Sequence, residues 1–260
     1  MTRRTGWLIA LGVLALLAFV VVTLPAAVLA GPLGRAGINA TGFDGSVWSG
    51  TARDCAWRGA ALGDLAWTLR PLRLLSGRAA GHAQLSRADG SIASDFDVSL
   101  SGRDVRLRGL QFALPIEALT NLPLGLPRGW RGRATGAFDE VQVADGWPVA
   151  LRGTLDLEGL VTPPPRDAPF GSFRVVVPHP HPQSSLSIPQ DQRNLTAQVQ
   201  DAGGAFAVQG QLTLSPARNF SLEGTLAPRG PVPSALQQSL QLLGPADAAG
   251  RRQFSVGGTL

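Results

Sequence analysis

The stretch Phe206-Ala-Val-Gln-Gly-Gln-Leu-Thr-Leu214 alternates apolar with polar residues, and this alternation is the strongest indication of the fold. Successive side chains of a β-strand point to opposite faces of a sheet, so alternation predicts strands with one buried face. One pattern recurs, in which glycine is followed by leucine two and four places later. It occurs here from Gly210 and again in Gly153-Thr-Leu-Asp-Leu157, and Gly224-Thr-Leu226 matches its first half. The spacing of these copies is too irregular for a solenoid. We interpret them as successive antiparallel strands with glycine at bulges or bends.

Short alternating runs follow one another from Gly42 onward, separated by Gly, Asp and Pro. They leave no room for crossover helices of about a dozen residues, which parallel strands require. The composition agrees, because charged residues make up only 16% of the chain while Gly and Pro number 32 and 20. The sequence therefore predicts a mainly β fold, built as an extended, twisted antiparallel sheet or a partial barrel. The other runs are 96–100, 105–107, 138–143, 155–157, 175–177, 195–199 and 220–222.

Two segments have helical character. Residues 115–121 allow about one turn of helix. Residues 234–243 predict a short C-terminal helix, because Ser234 is a suitable cap, leucines recur on one face and Gly244 is a suitable stop. The opposite face is rich in Gln, so we expect this helix to pack onto the sheet.

Two further segments are rich in proline, at 162–169 and 178–189. Proline cannot donate a hydrogen bond to a β ladder, so neither segment is suited to a central strand. We interpret them as loops. A second interpretation makes the first a hinge that divides residues 31–260 into two halves near 162–169.

Residues 1–30 have the composition of a membrane anchor. Arg3 and Arg4 precede a mostly apolar stretch, and no further charged residue occurs before Arg35. A helix of about 20 apolar residues spans a bilayer core, and basic residues that precede a span stay cytoplasmic. We therefore predict a single-pass membrane protein, which in a Gram-negative cell would be an inner-membrane protein. Its cytoplasmic N-terminus and transmembrane helix lie in 1–30, and its β-rich domain, 31–260, lies in the periplasm.

Cleavage of this segment is the alternative. Val28 and Ala30 have side chains small enough for signal peptidase to cut before Gly31. Cleavage would release the β-rich domain from the membrane.

Charge and cysteine content exclude several function classes. The formal net charge is +5 and the sequence pI is about 11.2, yet the arginines are scattered and interleaved with Asp. A nucleic-acid interface needs clustered cations, with aromatics for stacking on single strands, so we expect no nucleic-acid partner. The single Cys55 excludes an intramolecular disulfide, a zinc quartet and a two-cysteine redox motif.

The histidines and the cysteine do not form a recognisable reaction centre. His179 and His181 alternate with prolines, which favours an extended conformation in which the two imidazoles do not converge. Cys55 follows Asp54 with no histidine nearby, so we interpret it as a buried structural residue. The only other histidine is His82.

The paired acids are bracketed by alternating apolar residues, and we interpret them as polar strand faces or turns. These pairs are Asp95 with Asp97, and Asp139 with Glu140. Gly102-Arg-Asp lacks the Lys and the Ser or Thr of a phosphate-binding loop. We therefore predict no catalytic, cofactor-binding or metal-ligating residue and expect a non-enzymatic protein.

Three segments carry a resemblance to a known family: Gly45-Ser-Val-Trp-Ser-Gly50, Trp67-Thr-Leu-Arg-Pro71 and Leu240-Gln-Leu-Leu-Gly-Pro-Ala-Asp247. Their pattern and order resemble the type II secretion system protein N family over essentially the whole chain. The resemblance implies an accessory subunit anchored in the inner membrane, which works with other inner-membrane secretion subunits and the outer-membrane secretin. It implies no active site and no cofactor.

An opening of the Val-Trp-x-Gly kind also occurs in exported β proteins of the AsmA type, which leaves periplasmic lipid binding or transfer as the alternative function. In the assembly hypothesis the inner face of the sheet is closed by the 234–243 helix and by large residues such as Trp67 and Phe96. In the carrier hypothesis that face is an open groove.

Trp48, Trp57 and Trp67 are the aromatic candidates for partner contact. Filling of the core is the alternative interpretation, since tryptophan on a sheet usually buries its ring.

Overall fold

A computed structural model describes residues 7, 11–13, 16, 19–120, 129–165, 167–178, 194–204, 206–230 and 244–259. The described residues form thirteen β-strands and a few short helices, which confirms the prediction of a mainly β, antiparallel fold. The chain divides into two compact units, Met1–Arg87 and Ala88–Leu260.

The first unit is a meander in which each strand pairs antiparallel with the next one along the chain. A 3-10 helix, Ala26–Leu29, leads into helix α1, and a further short helix, α2, precedes the last strand. The elements are α1 Ala30–Arg35, β1 Ile38–Gly45, β2 Ser49–Trp57, β3 Ala60–Leu69, α2 Pro71–Leu74 and β4 Arg78–Arg87.

Turn chemistry and burial explain this unit locally. Arg58 and Gly59 connect β2 to β3 with φ values of 49° and 88°, the pair of positive angles that a tight hairpin turn requires. The core contains Ala26, Cys55 and Trp67. The 3-10 helix therefore contributes to the same core as the sheet.

The second unit is a longer antiparallel meander, again in chain order. One short helix, α3, follows its second strand. The elements are β5 Gly90–Ser99, β6 Asp104–Pro115, α3 Ile116–Thr120, β7 Arg131–Ala144, β8 Trp147–Val161, β9 Pro169–Val177, β10 Leu195–Gly203, β11 Phe206–Leu214, β12 Asn219–Pro228 and β13 Arg252–Thr259.

The two faces of the sheet in this second unit differ in polarity. On the outer face, oppositely charged side chains pair across neighbouring strands, as in Arg174 with Asp156 at 2.6 Å and Arg152 with Glu140. On the inner face the side chains are apolar, and the buried cluster includes Phe173 and Phe206. The alternation in the sequence thus becomes a polar outside and an apolar inside.

Several local predictions are confirmed. The predicted turn of helix at 115–121 is α3, and the described residues 162–165, 167 and 168 lie in the connection between β8 and β9. Gly153 lies at a bulge, because the β7–β8 register shifts between Phe138 and Glu140, opposite Gly153 and Arg152. The boundary between the two compact units lies at Arg87 and Ala88. A division into halves near 162–169 stays a prediction.

The interpretation of the glycine–leucine pattern as glycine at a bulge or bend was wrong for Gly210. Gly210 is not at a bulge or bend: it lies within β11, directly opposite Gly224, in a register that runs unbroken from Phe206 to Leu214. The alternating runs before and after Gly210 are therefore one strand rather than two.

The predicted helix at 234–243 lies outside the described residues, as do His179, His181 and the rest of 179–193. Much of the predicted anchor does too, because 1–6, 8–10, 14, 15, 17 and 18 are not described. Within the part of the chain that is described, no helix has both the length and the apolar character needed to cross a membrane.

Candidate functional site: an apolar groove in the second unit

The inner face of the second unit holds a groove of about 590 Å³. Its walls are aliphatic and aromatic, and among the described residues that line it only Thr120 is polar. Volumes of about 300–1,000 Å³ are usual for ligand sites. The lining residues are Phe112, Ile116, Leu119, Thr120, Trp130, Ala134, Leu155, Leu157, Leu160, Phe170, Phe173, Val175, Val199, Val208, Leu222, Leu226, Phe254 and Val256.

The strands place these residues through their two-residue period. Leu155 and Leu157 of β8 point to the same face, as do Phe173 and Val175 of β9, while the residues between them point outward. Asp156 and Arg174 are such outward residues, and they pair with each other. The apolar character of this face is therefore a direct consequence of the alternation in the sequence.

Two aromatic residues that line the groove lie directly opposite glycines on the neighbouring strand. Phe112 lies opposite Gly136 on β7, and Phe254 lies opposite Gly224 on β12. A Cβ atom at either glycine would meet the facing ring closer than 3.0 Å. The rings thus lie over the bare backbone of the neighbouring strand.

An aromatic cluster packs together at one end of the strands that line the groove. Phe170 packs edge-on against Trp130 with ring centroids 5.5 Å apart, and its centroid lies 5.3 Å from that of Phe173 and 6.0 Å from that of Phe206. Ile116 of α3 is buried beside this cluster. Four rings and α3 therefore form one packed cluster.

Toward the other end the apolar surface continues. A second, smaller cavity of about 150 Å³ shares Leu155 and Val175 with the groove and extends to Val177 and Leu214. Strand β11 spans the distance between the two ends, about 30 Å for nine residues. The apolar face is therefore long enough for an extended chain.

Asp201 is an acid two residues beyond Val199 on β10. Its side chain is only 12% exposed, and its carboxylate lies 2.6 Å from the guanidinium of Arg229. It also accepts a hydrogen bond of 3.2 Å from the backbone N–H of Val208. The paired charge therefore stabilises the β10–β11 connection and offers no unpaired anion to the groove.

The candidate reactive residues do not converge on this groove. Cys55 belongs to the first unit, where it is buried and its thiol donates to the carbonyl of Ala52 at 3.6 Å. Burial raises the pKa of the Cys55 thiol, with smaller contributions from nearby carboxylates. A protonated, enclosed thiol is a poor nucleophile.

His82 lines a different depression, open and polar, of about 480 Å³ in the first unit. Asp44, Thr51 and Gln84 line it as well. Among the described residues there is no group of three or more His, Cys, Asp or Glu side chains placed to hold a metal ion.

The paired acids lie on strand faces, as expected. Asp95 and Asp97 on β5 are opposite Arg108 and Arg106 on β6. Glu140 forms an ion pair with Arg152 of the adjacent strand.

The three tryptophans have different roles. Trp67 is buried in the core, and its indole N–H donates to the carbonyl of Val47 at 2.9 Å. Trp48 donates at 2.8 Å to the carbonyl of Val21, so it ties the N-terminal segment to the sheet. Trp57 is half-buried beneath the guanidinium of Arg58, 5.7 Å from the ring centroid.

The fold and the groove define a class of protein: an antiparallel β-meander with an apolar inner face suited to binding. The family model for the type II secretion system (T2SS), protein N, matches residues 36–255, which include most of both units. The chain therefore belongs to the type II secretion system protein N family, as the sequence pattern predicted.

Two relatives match along nearly their whole length. The type II secretion system protein N of Vibrio cholerae serotype O1 is 27% identical over 258 residues, 94% of each chain. The type II secretion system protein N of Aeromonas hydrophila is 28% identical over 252 residues, 93% of each chain. No solved structure matches the chain significantly. From the sequence, an open groove was only the alternative to a closed inner face, because the residues that line it come from strands far apart in the chain.

Proposed function

We propose that this protein is a non-enzymatic accessory subunit of a type II secretion system, anchored in the inner membrane with its β-rich part in the periplasm. Its partners are other inner-membrane secretion subunits and the outer-membrane secretin. The observation that carries the proposal is the family match, which covers 36–255 and so includes strands of both units.

Features near the N-terminus support the anchor. Phe19 and Val22 are helical and highly exposed, at 66% each, and Leu16 is 62% exposed. Exposed apolar side chains on consecutive turns favour an apolar environment around them. The hydrogen bond from Trp48 to Val21 then holds the strands of the first unit close to the end of this apolar segment.

The role is tested by deleting the gene in a strain with an active type II system. We expect a loss of export of folded periplasmic substrates, or lower levels of neighbouring secretion subunits. Restoration by the wild-type gene is the control. Normal export together with normal subunit levels in the deletion strain would contradict the proposal.

The apolar groove favours lipid binding as a second candidate function. A wall almost without polar side chains cannot direct hydrogen bonds to a polar ligand, whereas it matches an acyl chain through burial of apolar surface. The two ends of the apolar face, about 30 Å apart by strand length, are far enough apart for one extended chain.

Mass spectrometry of lipids that copurify with the protein tests this candidate. Val199→Glu places a charge in the groove, while Gln198→Glu changes the neighbouring exposed residue on the opposite face. Lipid carriage predicts stoichiometric phospholipid in the wild type and in Gln198→Glu, and little in Val199→Glu. A folded wild-type protein without lipid would exclude the carrier function.

A further inference from the structure

Strand β13 is the last described strand of the second unit. It pairs with β12 in a regular antiparallel register, from Asn219 opposite Thr259 to Leu226 opposite Arg252, without a bulge. Among the described residues, no strand pairs with its other side. Within the described part of the chain, this eight-residue strand edge is therefore unpaired.

The register identifies which backbone groups point outward. Ser215 N–H donates to the carbonyl of Asn219 at 2.9 Å, so these two residues are a hydrogen-bonded pair at the β11–β12 turn. Such pairs alternate along an antiparallel ladder, so the even-numbered residues of β12 bond to β13. The odd-numbered residues of β13 consequently direct their N–H and C=O groups away from β12. These are Gln253, Ser255, Gly257 and Thr259.

This edge lacks the usual features that prevent strand pairing. Exposed edges are normally blunted by proline, charge or bulges. Strand β13 has no proline, and its only charged residue, Arg252, is at one end. Strand β1 of the first unit is protected, because its ladder with β2 shifts register on both sides of Thr41 and Gly42 has a φ of 67°.

We propose that β13 pairs antiparallel with β13 of a second copy of this chain, about a two-fold axis at Val256. In this register Gln253 lies opposite Thr259, and Ser255 lies opposite Gly257, so all four outward-facing residues are paired. A register centred on Ser255 would leave Thr259 without a strand partner. The Val256 axis therefore satisfies the most backbone groups.

Side chains also fit this register. Val256 is 52% exposed in the single copy and would lie against its own counterpart. Phe254 would lie opposite Gly258 of the second copy, the same aromatic-over-glycine arrangement that it has with Gly224. Arg252 would face position 260 rather than Arg252 of the second copy.

The pairing joins two grooves. Phe254 and Val256 line the apolar groove of their own copy. The apolar inner face of one copy would therefore continue across the two-fold axis into the apolar inner face of the second copy. This self-pairing is independent of the proposed secretion role, because it rests on the strand edge alone.

Engineered cysteines test the register in the full-length protein in detergent. The natural Cys55 is 2% exposed and gives a low background. The Cα atoms of two facing Val256→Cys residues would be about 4.5 Å apart in a non-hydrogen-bonded pair. Disulfides form at Cα separations of about 4.4–6.8 Å. Gln253→Cys is the matched control, because six residues would separate it from its counterpart, about 20 Å along the strand.

We expect a covalent dimer of Val256→Cys under mild oxidation and none of Gln253→Cys. In the Val256→Cys background, Ser255→Pro removes one outward N–H per copy and should abolish the dimer, whereas Ser255→Ala keeps that N–H and should preserve it. Circular dichroism checks that each variant is folded.

Four results would overturn the proposal. They are a folded but monomeric Val256→Cys protein, equal cross-linking of Gln253→Cys, cross-linking unaffected by Ser255→Pro, and capture of a different protein by Val256→Cys in cell membranes.

Discussion

The ring of Phe254 lies over Gly224, its directly opposed partner on β12, so that a Cβ atom on Gly224 would come within 2.9 Å of the ring Cζ. An aromatic ring that covers a facing glycine protects the bare backbone from water and fixes the register of the two strands. The relationship recurs in both units, at Trp67 with Gly50, Phe112 with Gly136, Phe138 with Gly153 and Phe220 with Gly258.

The Gly224→Ala substitution tests this arrangement. Its Cβ would crowd the carbonyl of Gln209 and the Phe254 ring, and overpacking of this kind costs about 1–3 kcal/mol of unfolding free energy. Gly210→Ala is the matched control, because Gly210 faces Gly224 yet its Cβ would have 3.0 Å to the nearest atom. We expect Gly224→Ala to lower the urea midpoint more than Gly210→Ala does. The reverse order would contradict the packing.

A second prediction concerns Cys55, whose thiol pKa is raised by burial. The folded state then holds its proton at pH values where the unfolded thiol, with a pKa of about 8.5, has lost it. The protonated thiol therefore contributes its full share to the free energy of unfolding at pH values below the pKa of the unfolded state. This contribution is lost as the pH rises from the unfolded-state pKa toward the higher pKa of the folded state. We expect a Cys55→Ala variant to lose less stability than the wild type between neutral and alkaline pH.

Alkylation provides the direct measurement for Cys55. The thiol should react slowly in the folded protein at pH 8 and rapidly in urea. Equal rates in the two states would show an accessible thiol and contradict the burial.

A third prediction concerns topology. A reporter enzyme that functions only in the periplasm should be active when it is fused after Leu260, and one that functions only in the cytoplasm should be inactive there. The full-length protein should stay with the membrane after a high-salt wash. A mature N-terminus at Gly31 would instead indicate a cleaved signal. The secretion role is compatible with either result, so this measurement tests the anchor alone.

The strands were predictable because alternation is a local property. Val175 and Val177, or Phe220 and Leu222, fall on one face of their strands as expected. The single turn of α3 and the proline-rich loop after β8 were also predictable, because proline and capping act over a few residues.

The error at Gly210 has a physical cause. Glycine can bend a strand, but Gly210 lies opposite Gly224 with the Phe254 ring near both. The ring supplies the packing that the two absent side chains cannot, so the strand continues straight. Only the tertiary pairing of β11, β12 and β13 contains that information.

The choice between a closed inner face and an open groove could not be made from the sequence for a similar reason. Phe112 and Phe254 both line it, although they are far apart in the sequence. Whether an apolar face is filled or left open depends on how far opposite walls approach each other. Alternation alone does not determine that distance.

The most direct test of a secretion role for the apolar inner face is complementation of the deletion strain, measured as the extracellular fraction of a folded substrate. We expect wild type and Gln198→Glu to restore secretion. Val199→Glu, present at wild-type levels and folded, should fail, because it places a carboxylate in the groove. Full restoration by Val199→Glu would contradict a role for the groove, and normal secretion by the deletion strain itself would contradict the secretion role altogether.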